Sequence, residues 1–269
     1  MSDSRPIGIF DSGLGGLTVL KEIRHILPQE QIIYFGDTAR VPYGPKSRET
    51  VLKFSIENIL FLLKHKVKLI VVACNTSSSV ALNRVENSFR VPIIGVIKPG
   101  AEQAVNLTRN NRIGIIGTRT TIRSRAYEKQ IKQKKQNMKI YSVACPLFVP
   151  LVEEGWTGNR ITREIARMYL APFKKYRIDT LVLGCTHYPL LKNVIKEVLG
   201  ARVRLVDSAK QVAKQVSCIL KDKQMLALGN RTKRPKIHFF VSDEPASFAK
   251  LGKKFLGIPL KNVKVVSNV

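Results

Sequence analysis

The amino-acid sequence predicts an α/β protein with largely parallel sheets, built as two copies of one plan. Three observations predict it. Apolar, β-branched runs alternate with helix-periodic stretches from one end of the chain to the other, the pattern of strands joined by crossover helices. The pattern occurs twice, with short motifs recurring at a near-constant spacing. The polar motifs sit just after strands, and in open parallel sheets ligands bind in the crevice outside those carboxyl ends.

The first set of expected strands covers residues 7–10, 32–35, 69–73 and 93–96, and the second covers 113–116, 140–144, 180–183 and 203–206. A shorter third set covers 238–241 and 263–266, and residues 48–65 and 162–175 read as helices. Ile7-Gly8-Ile9-Phe10-Asp11-Ser12 has the shape of Ile113-Gly114-Ile115-Ile116-Gly117-Thr118, at an offset of 106. Val41-Pro42 recurs as Val149-Pro150 at 108, and Ala73-Cys74-Asn75-Thr76 as Gly184-Cys185-Thr186-His187 at 111. Three similar offsets in order imply an internal duplication. The break between copies is expected near Ile97-Lys98-Pro99-Gly100 and the return near Val206-Asp207-Ser208. The expected domains are therefore residues 1–97 completed by 208–269, and 98–207, since the tail is too short for a third domain.

Bulk properties narrow the class. A chain of 269 residues suits two domains at roughly 150 residues each, and 44% hydrophobic residues are enough for a core. The start, Met1-Ser2-Asp3-Ser4-Arg5-Pro6, lacks the features of a secretory signal, and no window approaches the ~20 apolar residues of a membrane span. A cytoplasmic protein is expected. Cys74, Cys145, Cys185 and Cys218 form no CxxC pair, so neither a disulfide framework nor a metal site is expected.

The formal net charge is +27, from 46 Lys and Arg against 19 Asp and Glu. Residues 109–139 hold ten basic residues and one acid, Glu128, and residues 210–236 are similarly basic. Such a surface either keeps the protein solvated or attracts nucleic acid or another polyanion. Few aromatics are interleaved with these charges, so no base-stacking platform is visible.

Two cysteines occupy matched post-strand positions, Cys74 before Asn75-Thr76-Ser77-Ser78 and Cys185 before Thr186-His187-Tyr188-Pro189. At a helix N-terminus the partial positive charge lowers a thiol pKa, so a lowered value is expected for both. A free cysteine is commonly a small core residue. Two at matched positions in a duplicated chain favour chemistry instead. A facing pair suits proton transfer on both sides of one carbon: a thiolate removes a proton, the opposite thiol delivers another, and the centre inverts. Donors in the cleft would stabilise charge on the carboxylate as the carbanion forms.

The first loop, Asp11-Ser12-Gly13-Leu14-Gly15-Gly16, lacks GxGxxG spacing and carries an acid, a poor match to a dinucleotide cradle. Asp11 is placed to meet a substrate ammonium, to assist a thiol, or only to cap a helix. Gly36-Asp37-Thr38-Ala39-Arg40-Val41-Pro42-Tyr43-Gly44 is turn-rich and can line a cleft. Glu153 and Glu154 hold the corresponding place in the second copy.

Together these segments resemble the glutamate racemases, the cofactor-independent two-cysteine enzymes of the aspartate/glutamate racemase superfamily. The matching pieces are 7–19, 34–44 (Tyr34-Phe35-Gly36-Asp37 onward), 73–76, 146–156 and 184–190, in order along nearly the whole chain. The resemblance implies two pseudosymmetric domains with the active site between them, no cofactor, a homodimer, and supply of D-glutamate for peptidoglycan. It implies that Cys74 takes the proton from D-glutamate and Cys185 from L-glutamate, with Asp11, His187 and Glu153 assisting. Substrate would be held by Asp11, Ser12, Tyr43, Gly44, Asn75, Thr76, Thr186 and His187, with Thr118 and Thr121 toward its side chain. The departure is the heavy basic load, including Arg119 in the Gly117-Thr118-Arg119 loop. Two-thiol logic alone also admits aspartate, and a polyanion-binding role is the alternative from another class.

Overall fold

The structure, a computed structural model, describes residues 3–228 and 235–266. Chain order begins β1 (Ile7–Asp11), α1 (Leu17–Ile26), β2 (Ile32–Gly36), α2 (Arg48–Lys64), β3 (Leu69–Val72), α3 (Asn75–Val80), α4 (Leu82–Val85), β4 (Ile93–Gly95) and α5 (Ile97–Leu107). It continues with β5 (Arg112–Gly117), α6 (Arg119–Ser124), α7 (Ala126–Lys134), β6 (Lys139–Ala144), α8 (Phe148–Glu153), α9 (Arg160–Tyr176), β7 (Thr180–Gly184), α10 (Lys192–Leu199) and β8 (Arg204–Val206). The last elements are α11 (Ala209–Asp222), β9 (Ile237–Val241), α12 (Pro245–Leu256) and β10 (Lys264–Val265).

All strand pairs are parallel, in two sheets of order β10-β9-β2-β1-β3-β4 and β6-β5-β7-β8. Equating β1 with β5 makes β2-β1-β3-β4 and β6-β5-β7-β8 the same arrangement, so the repeat read from motif offsets is also a repeat of topology. The first sheet is longer only because β9 and β10 add to its β2 edge. Each expected strand has its counterpart, with shifted ends: residues 264–265 pair where 263–266 was expected, and Val96 leaves β4 to cap α5. Part of the basic 210–236 stretch (Arg231, Lys233 and Arg234) lies outside the described residues, as do Met1 and Ser2.

Local chemistry explains the helix ends. Ser47 accepts from Thr50 N at 3.2 Å and Asn159 from Thr162 N at 2.9 Å, satisfying backbone donors at the starts of α2 and α9. Helix α1 buries Leu17, Val19, Leu20 and Ile23 on one face, and α11 and α12 pack against it. Central strands covered on both sides must be apolar on both faces. Accordingly β1, β2, β3 and β7 are buried along their whole length.

One buried ion pair ties distant segments together at the first sheet. Lys68 Nζ lies 2.6 Å from Glu30 Oε2 and donates to the carbonyls of Asp3 and Met225 at 2.7 Å each. Glu30 Oε1 accepts from Ala227 N at 2.9 Å. Removing one partner of such a pair strands a charge in low dielectric. Lys68→Met is expected to lower unfolding stability by about 3–5 kcal/mol, and adding Glu30→Gln should recover much of the loss. Denaturant titrations of the three proteins check this, and additive losses would contradict it.

Candidate active site

The loops leaving the carboxyl ends of β1, β2 and β3 meet those leaving β5, β6 and β7 around a cavity of about 320 Å³. From the first sheet come Ser12, Tyr43, Gly44, Cys74, Asn75 and Thr76, and from the second Thr118, Arg119, Glu153, Cys185, Thr186 and His187. The volume is at the small end of the ~300–1,000 Å³ typical of small-molecule sites. Cys74 and Cys185 line this one cavity from topologically equivalent positions. The approach is close: a Cβ on Gly15 would fall 2.0 Å from Thr186 Oγ1, so only glycine lets the first loop lie against the second cysteine loop.

Cys74 caps the start of α3 and donates from Sγ to Ser12 Oγ at 3.7 Å. The lowered pKa expected from a helix start is not found. Burial, reinforced by the Asp11 charge, pushes the thiol up to about 11, and hydrogen bonding with Ser77 and Ser12 only partly opposes it. Helix α3 has six residues and the sulfur is almost dry, so desolvation outweighs the helix end. Cys185 differs more from expectation, because a turn and a short 3-10 segment, Tyr188–Leu191, separate it from α10. Its partner is a side chain instead. His187 Nδ1 lies 3.8 Å from Cys185 Sγ, and Nε2 lies 3.0 Å from Glu153 Oε1. Burial by itself opposes charge on His187, but the contacts with Cys185 and Glu153 win and push its pKa up to about 10. At neutral pH the ring is an imidazolium.

Asp11 lies beneath the cavity rather than on its wall, fully buried at the end of β1. Its Oδ2 accepts from Gly13 N at 3.0 Å, while Oδ1 has no hydrogen-bond partner among the described residues. Burial raises its pKa, with the nearby His187 charge working the other way. Thr121 also stands behind the wall. It closes a ring of hydroxyls across the two halves, with Thr76 Oγ1 3.0 Å from Thr118 and 3.3 Å from Thr121, and Thr118 3.0 Å from Thr121.

Tyr43 reaches the cavity with its hydroxyl already engaged: it donates to Asp37 and accepts from Asn58 Nδ2 at 3.2 Å. It therefore offers ring and backbone. Gly44 O accepts from Thr120 N at 3.2 Å, joining this strap to the second half. Several wall residues escaped the sequence reading. Arg119 was noted only as excess charge, although its place beside Thr118 after β5 was a signal. Val41-Pro42, in the loop expected to line a cleft, and its counterpart Val149-Pro150 both form apolar wall. Among the described residues no group of three or more metal-ligating side chains comes together, and Cys74, Cys145, Cys185 and Cys218 are free thiols.

The family model described as Asp/Glu/Hydantoin racemase matches residues 8–216. The chain is 53% identical to a glutamate racemase of Geobacter metallireducens over 98% of its length and 97% of the relative. It is 48% identical to one of Chlorobaculum tepidum over 99% and 97%. Among solved structures, it is similar to a glutamate racemase of Francisella tularensis in complex with D-glutamate: TM-score 0.92, 42% identity, 98% of both chains covered. The chain belongs to the Asp/Glu/Hydantoin racemase family and is an isomerase of the racemase class.

Proposed function

We propose that the protein interconverts L- and D-glutamate by two-base proton transfer at Cα, with Cys74 and Cys185 on opposite faces of the substrate. The observation that carries this reading is that both thiols line one small cavity from equivalent ends of two matching sheets. From L-glutamate, the Cys185 thiolate takes the Cα proton, leaving the electron pair delocalised into the carboxylate. The Cys74 thiol then protonates the opposite face. From D-glutamate the roles reverse. The net exchange is one C–H bond broken and one formed, with no redox change.

The electrostatics support the assignment. A thiol pushed up to about 11 is protonated at neutral pH, as a donor must be, and as a thiolate it is a strong base toward a weakly acidic carbon. The His187 imidazolium, oriented by Glu153, stabilises negative charge on Cys185. Arg119 and the Asn75, Thr76, Thr118 and Thr186 side chains supply donors for the two carboxylates. Glutamate is chosen over aspartate because high-identity relatives along nearly the whole chain are glutamate racemases.

The same reading includes a cytoplasmic role supplying D-glutamate for peptidoglycan, action as a homodimer, and two units bounded as 1–97 with 208–269 and 98–207. Capture of β9 and β10 by the first sheet supports that division. No described helix is long and apolar enough to cross a membrane. The basic residues of 109–139 remain a proposed surface for a polyanion.

Single-cysteine variants separate the half-reactions. Cys74→Ala and Cys185→Ala are each expected to lose racemisation by at least about 10³-fold, the scale of positioned acid–base catalysis. In deuterated water, Cys74→Ala should exchange the Cα proton of L-glutamate with retention and Cys185→Ala that of D-glutamate. Chiral chromatography with mass analysis reads both, and racemisation persisting in either variant would sink the mechanism.

The alkaline side of the pH profile tests the histidine. A raised pKa keeps His187 charged until pH approaches about 10, so wild-type kcat/KM should fall as pH rises through that region. Glu153→Gln removes an anion that favours the imidazolium, so its alkaline limb should move to lower pH. An unmoved limb would show that Glu153 does not hold the proton on His187.

A further inference from the structure

Tyr127 takes no part in the proposed proton transfer, yet it touches both cysteine loops. It belongs to α7, beside the second sheet, and is 2% exposed. Its hydroxyl crosses between the halves and donates to Asn75 Oδ1 at 2.7 Å. Asn75 directly follows Cys74 and lines the cavity. On its other side the Tyr127 ring lies against Gly184, the residue before Cys185. A Cβ at 184 would sit 3.2 Å from Tyr127 Cε2, and one at Gly100 would sit 3.1 Å from Cε1. Two glycines thus leave the space this ring occupies.

A side-chain amide presents an acceptor at one end and donors at the other, and the two can exchange places by a flip. In this site only one arrangement suits an acidic substrate. With Oδ1 held by Tyr127, the NH₂ group is left for the cavity, and among the described residues it has no other partner. Flipped, the amide would turn its oxygen toward a substrate carboxylate, and a buried acceptor facing an anion is costly. Burial, with the Asp207 and Cys185 charges, pushes the Tyr127 ionisation far up, so the hydroxyl keeps its proton at every working pH.

We propose that Tyr127 is a positioning residue for racemisation: by donating to Asn75 Oδ1 it sets the amide so that its NH₂ group binds a carboxylate oxygen of the substrate. This rests on the glutamate reading above. The ring packed on Gly184 also gives the Asn75 loop and the Cys185 loop a common support, so the hydroxyl is held by an element that belongs to the opposite half.

The test is a double-mutant cycle on the full-length protein with both enantiomers. Tyr127→Phe keeps the ring between Gly100 and Gly184 and removes only the hydroxyl, and thermal melting reports whether the fold is retained. Expected is a rise in KM of about tenfold with kcat nearly unchanged, the signature of lost uniform binding. In an Asn75→Ala background the same substitution should leave KM where Asn75→Ala alone puts it, because Tyr127 then has no amide to orient. A merely structural role would instead raise KM equally in both backgrounds, and that result overturns the proposal. An unchanged KM in Tyr127→Phe, or in Asn75→Ala, overturns it too while leaving the racemase reading intact. Failure of the wild-type protein to racemise glutamate would remove the reading on which it rests.

Discussion

The carboxyl ends of two parallel sheets are held face to face around a cavity of about 320 Å³, and the meeting of the two cysteine loops depends on that opposition. Neither half closes the cavity alone. Contacts across the gap are short and polar: the three threonine hydroxyls, Gly44 O with Thr120 N, and Tyr127 with Asn75. Gly15 lies so near Thr186 that any side chain there would prise the halves apart. Inversion at one carbon needs opposed groups at fixed separation, and small displacements of reacting groups are expensive.

The same burial acts in opposite directions on the two sides. For Cys74 the dry surroundings and the Asp11 charge disfavour a thiolate, so the thiol pKa rises. Around His187 burial also disfavours charge, yet a carboxylate and a thiol contact its two nitrogens and the imidazolium persists. One sulfur is therefore kept protonated while the other has a cation for a neighbour.

Much of this was legible in the residues, and the failures are instructive. Strands buried on both faces announce themselves as apolar runs, so β1, β3, β5 and β7 could be read directly, and the motif offsets announce a repeat, while the strand order the sheets share is visible only in the structure. The two cysteines and His187 were visible because each follows a strand. The expected helix start at Cys185 was wrong: Pro189 lies in a 3-10 turn before α10 begins. The lowered Cys74 thiol failed because desolvation is a property of the assembled cavity and not of six neighbouring residues. Tyr127 is hidden for a related reason: in the sequence it is one aromatic in a basic helix, and only tertiary packing brings its hydroxyl to Asn75, whereas Arg119 carries a signal in its place beside Thr118.

The repeated topology places two thiols at equivalent strand ends, but an amino acid, the proposed substrate, has no matching twofold symmetry. Its ammonium, α-carboxylate and side chain differ, so two identical half-sites would fit it poorly. The two halves differ in the residues that stand beside each thiol. Beside Cys74 stand Ser12 and the buried Asp11; beside Cys185 stand His187 and Glu153. Thr118 meets Thr76 across the middle, and the equivalent of Asp11 in the second copy is Gly117, which carries no charge at all. The sheets share one strand order, and both present their loops at the carboxyl ends of their strands. The loops beside the two thiols differ, as the proposed reaction requires: a substrate whose ammonium, carboxylate and side chain are unlike cannot be held by two identical half-sites.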